Sequence, residues 1–275
     1  MDFEQLTEKL EEIAKDPFSL PFDPQEVIKE ALYHSDDEIR LKAMNLAGSF
    51  DAEEFIEPLF HVIAEDENPD IRLAGLQCLG DYLHRGVMAD YHRLGDSIEE
   101  IPAEYEVAGL TVVQFQLIRD FLEKVVEQED WPHHLRAEAL LYYSKVAPEL
   151  AVSSIERFYN TGEPELVCGA VKAIARVETG EWRKIIMREI MREVSDDRRL
   201  AALEAAAIHD IYEVGPELVR ILEEETDEAC AQAAVETLGY ISWPEAEKYL
   251  EQYARSNKSK IAETAQIALR RRSSG

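Results

Sequence analysis

The sequence predicts an all-α fold built from repeated helical hairpins. Two observations carry this prediction: one residue pattern recurs at almost constant separation, and the apolar residues inside each recurrence have helical spacing. The stretch PDIRLAGLQCLG at 69–80 shows both features within one unit.

The repeat is defined by one anchor position in each unit. Successive anchors are separated by 32, 64, 31, 32, 32 and 31 residues, and we interpret the long gap as two periods with one poorly matching unit between them. The anchors are Ile39, Ile71, Leu135, Leu166, Arg198, Cys230 and Ile261.

A small residue stands four positions after every anchor. Offsets 0, 4, 5 and 8 from the anchor lie on one stripe of an α-helix. A small residue fixed in that stripe predicts that another helix crosses closely there, because a branched side chain would not fit. These small residues are Ala43, Gly75, Ala139, Ala170, Ala202, Ala234 and Ala265.

Each unit also contains a first helix before this second helix. Proline followed by glutamate opens the first helix at Pro148, Pro216 and Pro244, where the missing N–H is harmless and a carboxylate faces the positive end of the helix dipole. Acidic and hydroxyl residues, such as SDDE at 35–38, predict the turn into the second helix. Each unit is therefore predicted to be a helical hairpin.

These units resemble HEAT repeats, in particular the short, phycobilisome-lyase-like HEAT repeats. Besides the Asp-rich turn and the helix stripe, the resemblance is carried by an arginine just after the anchor at Arg40, Arg72, Arg136 and Arg199. It implies a right-handed, armadillo-like α-solenoid of about seven to eight hairpins, whose second helices line a concave face. Val167, Ala231 and Ala262 replace the arginine, so any Asp–Arg ladder between repeats would be broken in the C-terminal half.

We expect one domain over residues 1–275, with an N-terminal capping helix at 2–15 and an irregular or inserted unit at 84–110. In that unit we predict a helix around 86–94 followed by a loop. The helical pattern is interrupted there by Gly86, Gly95, Pro102 and Gly109. Two interpretations stay open: the unit is a binding element, or it is a degenerate repeat that only keeps stacking.

The chain is strongly acidic, with 29 Lys and Arg against 57 Asp and Glu and a formal net charge of −28 at pH 7. Such a surface repels the phosphates of nucleic acids and of anionic lipids, so we expect neither nucleic acid nor a membrane as partner. A protein partner with a basic surface or segment suits this charge, and solubility alone is the alternative explanation.

The cysteines and the N-terminus favour a cytoplasmic protein. Cys78, Cys168 and Cys230 lie far apart and form no CxxC pair, which favours a reducing compartment over a disulfide framework. The N-terminal stretch is acidic and amphipathic, unlike a signal peptide, and no apolar run approaches the ~20 residues that span a bilayer.

No residue pattern indicates catalysis. His84, Asp90 and His92 lack any established metal-ligand spacing, and there is no HExxH motif. Nucleophile motifs and glycine-rich phosphate loops are also absent from the sequence. We therefore expect no enzymatic activity, no cofactor and no metal site.

A partner would bind the side of the second helices that points away from the buried stripe. Offset 6 from the anchor marks that side, which also carries Leu141 and Ile267, and aromatic residues and the irregular unit add to it. An ordinary solvated surface is the alternative explanation. The candidate partner-binding residues are Asn45, Gln77, Tyr82, Tyr91, His92, Tyr142, Lys172, Glu204 and Glu236.

Two functional hypotheses follow. The first is a non-catalytic scaffold or adaptor that binds a protein, which we expect to be basic, through the concave face, the segment 84–110, or both. The second is a phycobilin-lyase-like or other small-molecule-handling HEAT-repeat enzyme, which rests on fold analogy alone. The sequence indicates no oligomeric state.

Overall fold

The structure, a computed structural model, describes residues 3–88, 106–107, 110–177, 181–191, 195–224 and 227–274. In this part of the chain there are fifteen α-helices and one two-stranded antiparallel ladder. The helices divide into two units, Met1–Ala147 and Pro148–Gly275, each of which is described by itself. That the whole chain forms one domain stays a prediction.

Unit 1, Met1–Ala147, contains an N-terminal helix followed by three hairpins. A short 3-10 turn at Ala52–Glu54 leads into the second hairpin, and the strands β1 (Glu106–Val107) and β2 (Leu110–Thr111) precede the third. The helices are α1 (Phe3–Lys15), then the pairs α2 (Pro24–Leu32) and α3 (Asp37–Ala47), α4 (Ile56–Glu65) and α5 (Pro69–Met88), α6 (Val112–Glu127) and α7 (His133–Val146).

Unit 2, Pro148–Gly275, contains four hairpins. They are α8 (Pro148–Thr161) and α9 (Pro164–Ile174), α10 (Arg183–Met191) and α11 (Asp196–Ile208), α12 (Gly215–Glu224) and α13 (Glu228–Tyr240), α14 (Ala246–Tyr253) and α15 (Ser259–Ser274). Within each unit every second helix packs against the second helix of the next hairpin. The predicted all-α helical-repeat solenoid is confirmed, while its handedness stays a prediction.

The predicted stripe forms the core of every hairpin. All seven small residues at offset 4 are buried. The anchor Ile71 and its followers Leu76 and Leu79 are likewise fully buried in α5, and the equivalent residues of most other hairpins share this burial. The sequence periodicity therefore reports the contact between neighbouring second helices.

Two glycines of α5 allow the next hairpin to approach closely. A Cβ at Gly80 would lie 2.3 Å from Cε1 of Tyr142 in α7, and one at Gly86 would lie 2.3 Å from Cδ2 of Phe115 in α6. Neither position could hold a side chain without displacing these rings. The prediction that Gly86 interrupts the helix is wrong, because α5 continues to Met88 and uses the glycine for packing.

The long gap between the anchors Ile71 and Leu135 is an insertion between neighbouring hairpins. Helix α5 packs directly against both α6 and α7, and α4 also contacts α6. Among the described residues no further hairpin separates the second hairpin from the third, so our interpretation of the gap as two periods with a stacked unit between them is wrong. The residues from 89 to 105 lie outside the described part of the chain.

The arginine after the anchor caps the preceding first helix. Nε of Arg72 donates to the Ile63 carbonyl at 2.7 Å, and Nη2 of Arg136 donates to the Val126 carbonyl at 3.0 Å. Both carbonyls lie in the last turn of a first helix, where backbone acceptors lack intrahelical partners and attract positive charge. One Asp–Arg contact between repeats is also present. It joins the first and second hairpins, where Nε of Arg40 donates to Asp66 at 2.7 Å.

A second set of caps connects neighbouring hairpins. Tyr82, His209 and Arg272 each stand eleven positions after their anchor. Each side chain reaches the carbonyl at offset 8 of the preceding second helix. The contacts are Tyr82 Oη to Ala47 at 2.7 Å, His209 Nε2 to Ile174 at 2.8 Å, and Arg272 Nη1 to Leu238 at 3.4 Å. These donors add a bond from the next hairpin to carbonyls at helix ends. The Ala47 and Ile174 carbonyls also accept the backbone N–H groups of Phe50 and Val177.

The polar anchor Arg198 is neutralised inside unit 2. Nε of Arg198 donates to Oε2 of Glu189 at 3.0 Å, and the hydroxyl of Tyr159 donates to Oε1 at 2.6 Å. Glu189 is fully buried in α10. A buried carboxylate needs such partners, because leaving it unpaired costs several kcal/mol. The ion pair therefore replaces the apolar contact made at the other anchors.

We expect Ala234→Leu to destabilise the chain by about 1–3 kcal/mol, because the added side chain overfills the contact between second helices. Ala229→Leu in the same helix is the control, since Ala229 is exposed, and should change the free energy of unfolding by less than about 0.5 kcal/mol. Urea denaturation followed by circular dichroism measures both. Equal effects of the two substitutions would contradict the close crossing.

Replacing one member of the buried ion pair should be costly. We expect Glu189→Leu to lower the free energy of unfolding by about 3 kcal/mol, because it leaves the Arg198 guanidinium without this carboxylate. The double variant Glu189→Leu/Arg198→Leu should recover most of the loss, because leucine is the kind of anchor found at Leu135 and Leu166. A double variant as unstable as the single one would show that the ion pair is not the cause.

Candidate functional site

The candidate surface is the side of the second helices opposite the buried stripe. We call it the second-helix face and define it by the offset-6 residues. Asn45, Gln77, Glu204, Glu236 and Ile267 are exposed, and Leu141 and Lys172 are half-buried. Seven positions that share one register are thus all at least partly accessible, while the stripe of the same helices is buried.

In unit 1 the second-helix face lies across α3, α5 and α7. Asn45 and Gln77 provide neutral amides, and the ring of the half-buried Tyr142 packs on Gly80 of α5. The Tyr142 hydroxyl donates to Oε1 of Glu138 at 2.9 Å. Burial, and then the Glu138 carboxylate, raise the pKa of Tyr142 above its ordinary value, so the hydroxyl stays protonated.

In unit 2 the second-helix face carries paired charges. Nη1 of Arg176 lies 2.9 Å from Oε1 of Glu204, so the α9 and α11 parts of the face are joined by an ion pair. Glu236 accepts a hydrogen bond from Gln232 at 3.2 Å. Much of the charge predicted here is therefore already engaged within the chain.

A groove of about 520 Å³ runs between α13 and α15 on this face, and Glu236 and Ile267 line it. Tyr240 also lines the groove, is 53% exposed, and has the Arg271 guanidinium 4.1 Å from its ring centroid. Sequence reasoning missed Tyr240. It stands four residues after Glu236, and this spacing places both on the same side of the helix.

One candidate residue does not join this surface, and two others cannot be placed on it. Tyr82 is wrong as a partner-binding residue, because it is fully buried and its hydroxyl bonds the Ala47 carbonyl. Offset 11 lies on the same stripe as offsets 0, 4 and 8, which explains the burial. Tyr91 and His92 lie outside the described residues.

The negative charge is concentrated in unit 1. Residues 1–147 hold 33 Asp and Glu against 12 Lys and Arg, a net −21, whereas residues 148–275 hold 24 against 17, a net −7. Charges of one sign raise the local concentration of oppositely charged partners and their association rate. Electrostatic attraction of a basic partner would therefore act mainly on unit 1.

A cleft of about 620 Å³ lies at the turns of the first two hairpins. Tyr33 and His61 line it with ring centroids 5.7 Å apart, and Glu65, Glu67 and Asp70 add acidic side chains. Arg40 and Asp66 also line the cleft and form an ion pair, with Nε 2.7 Å from Oδ2. The cleft contributes to the acidic surface of unit 1.

The cysteines lack the features of nucleophiles. All three thiols are free, and Cys78 and Cys230 are buried. Burial raises the pKa of the Cys78 thiol to about 12, so the nucleophilic thiolate is not formed near neutral pH.

In the described ranges no group of three or more His, Cys, Asp or Glu could hold a metal ion, and none of the helices there has the length and apolarity to cross a membrane.

Comparison with known proteins gives only distant structural likenesses. No protein-family model matches the chain, and no curated protein matches it. An engineered protein solved by crystallography is 15% identical, with a TM-score of 0.44, over 92% of this chain and 79% of its own. A designed armadillo repeat protein is also 15% identical, with a TM-score of 0.32, over 89% of this chain and 98% of its own. Both scores are too low to indicate function, and the helical-repeat architecture rests on the packing described above.

We expect Tyr82→Phe to lower the free energy of unfolding by about 1 kcal/mol, because it removes a buried hydrogen bond between hairpins and leaves the Ala47 carbonyl with only the Phe50 N–H as donor. Tyr142→Phe is the control, and its effect should be smaller because the released Glu138 carboxylate is only half-buried and can be hydrated. Urea denaturation measures both variants. A neutral Tyr82→Phe would show that this cap does not stabilise the junction.

Proposed function

We propose that the chain is a non-catalytic scaffold or adaptor that binds a basic protein partner through the second-helix face, with the segment 84–110 as a further contact. The carrying observation is the row of accessible offset-6 residues on neighbouring helices, combined with the net −21 of unit 1. These residues lie outside the buried stripe, so packing of the hairpins leaves them at least partly accessible.

Electrostatics would set the rate and orientation of this encounter. Acidic residues of unit 1 attract a basic segment at long range, and screening by salt weakens that attraction beyond about 10 Å. Accessible aromatic rings such as Tyr240, together with Ile267, would supply apolar contact in unit 2. The free thiols are consistent with a reducing compartment, and we propose the cytoplasm as the location.

The alternative is a phycobilin-lyase-like or other small-molecule-handling enzyme. It differs from the scaffold in a simple observable, because such a protein would bind a pigment or turn over a small substrate. Absorption spectra of the purified chain mixed with a linear tetrapyrrole would distinguish the two functions. A shifted, saturable absorption band would favour the alternative.

The scaffold proposal predicts salt-sensitive binding of a basic peptide to unit 1. We expect the double variant Asn45→Lys/Gln77→Lys to weaken binding of a fluorescein-labelled Arg/Ser peptide about five- to tenfold, because it places two cations on the second-helix face. Fluorescence anisotropy at about 50 mM and about 300 mM salt measures affinity and screening, and the higher salt should weaken binding.

The matched control is Asn160→Lys/Gln252→Lys, which makes the same changes at exposed positions of first helices in unit 2. It should alter affinity by less than about threefold, because its cations lie away from the most acidic unit. Equal weakening by both double variants would mean that net charge alone governs binding, and the second-helix face would lose its role.

A further inference from the structure

One first helix presents an apolar outer side. Val113, Leu117 and Phe121 recur every four residues along α6 and therefore share one side of the helix. Val113 is 40% exposed and Leu117 is 49% exposed. Phe121 and Phe60 of α4 are half-buried, and their rings stack with centroids 4.2 Å apart. We call Phe60, Val113, Leu117 and Phe121 the first-helix patch.

The equivalent side of a comparable helix in unit 2 is charged. In α12 the Arg220 guanidinium contacts the carboxylates of both Glu217 and Glu224. Both α6 and α12 pack against the second helix of their own hairpin. Since α12 stacks with a charged outer side, repeat packing does not require the apolar residues of α6.

The rings of the first-helix patch have further aromatic and cationic neighbours. The Phe121 ring meets the edge of Trp131 with centroids 6.1 Å apart, and the Arg72 guanidinium lies 5.3 Å from the Trp131 ring centroid. Stacked rings lose little freedom when a partner binds, which reduces the entropic cost of association. Single exposed apolar residues occur on every protein surface, whereas adjacent exposed apolar residues indicate a binding site.

Exposed carboxylates outnumber exposed cations on the two helices that carry the first-helix patch. Glu57 of α4 and Asp120 and Glu127 of α6 are exposed. Lys124 of α6 is an exposed cation, and the half-buried Arg119 lies 2.8 Å from Asp120. The patch also belongs to the unit with net charge −21. An apolar stripe with an acidic border is complementary to an apolar stripe with a basic border.

We propose that the first-helix patch binds an amphipathic helical segment of a partner protein, whose apolar stripe is bordered by Lys and Arg. The span from Val113 to Phe121 is about 12 Å, which matches apolar residues at i, i+4 and i+7 of a docked helix. The patch lies on first helices and is separate from the second-helix face, so it does not depend on the function proposed above.

The test uses two fluorescein-labelled peptides of Leu and Lys with identical composition. One places its leucines on a single helical side, and the other scrambles them. By fluorescence anisotropy, we expect the amphipathic peptide to bind the full chain about tenfold more tightly than the scrambled one. Leu117→Gln should abolish this preference, because it places an amide at the centre of the patch.

Leu150→Gln is the matched control, since Leu150 is a 62% exposed leucine at the start of another first helix. It should leave the preference intact, and thermal unfolding should show both variants folded.

Equal binding of the two peptides, or equal loss with both variants, would overturn the proposal. Loss with Asn45→Lys/Gln77→Lys alone would also overturn it and would leave the scaffold function standing. A dimer in sedimentation that Leu117→Gln dissociates would assign the patch to a second copy and overturn the proposed partner.

Discussion

The close crossing of neighbouring second helices is the constraint on which the rest of the structure depends. A residue no larger than alanine at offset 4 lets the helix axes approach, and buried apolar residues at most of the offset-5 and offset-8 positions pack beside it. Because this contact recurs at each junction within a unit, it produces the repeat period seen in the sequence. It also determines which side of each second helix is left accessible, since offset 6 points away from the crossing.

The interior ends of the helices are satisfied by side chains from outside the helix. Arg72 and Arg136 serve first helices of their own hairpins, whereas Tyr82, His209 and Arg272 serve the preceding second helix. Burying a helix end is costly when its carbonyls have no donor, so these contacts allow the hairpins to stack tightly. The buried Glu189 beside the anchor Arg198 solves a related problem, because a polar anchor is tolerated only with a compensating charge.

Much of the fold could be predicted from the sequence because the period of the pattern equals the period of the packing. The anchors and small residues therefore identified the second helices directly. The helix through Gly86 was harder to predict, because glycine usually indicates the end of a helix. Its actual role, a close contact with Phe115, depends on another helix and is not visible in the local sequence. Tyr82 could have been placed correctly from its offset alone. Its bond to Ala47 could not, because it depends on where the preceding hairpin lies.

The sequence predicted which positions of the second helices are accessible, but not how charge is distributed and paired on that surface. The offset-6 residues are accessible as expected, yet the pairing of Glu204 with Arg176 and the concentration of acidic residues in unit 1 emerge only once neighbours and units are known. The apolar side of α6 was also missed, since a helix with apolar residues on two sides resembles an ordinary core helix in sequence.

The caps at offset 11 have an evolutionary consequence. Their acceptor is a backbone carbonyl, which every hairpin has regardless of its side chains, so all the recognition information is encoded on the donor side. A gene segment encoding a hairpin with such a donor could be duplicated or recombined behind a different hairpin without matching changes in its new neighbour. Arrays of this kind can therefore gain length by copying one module at a time.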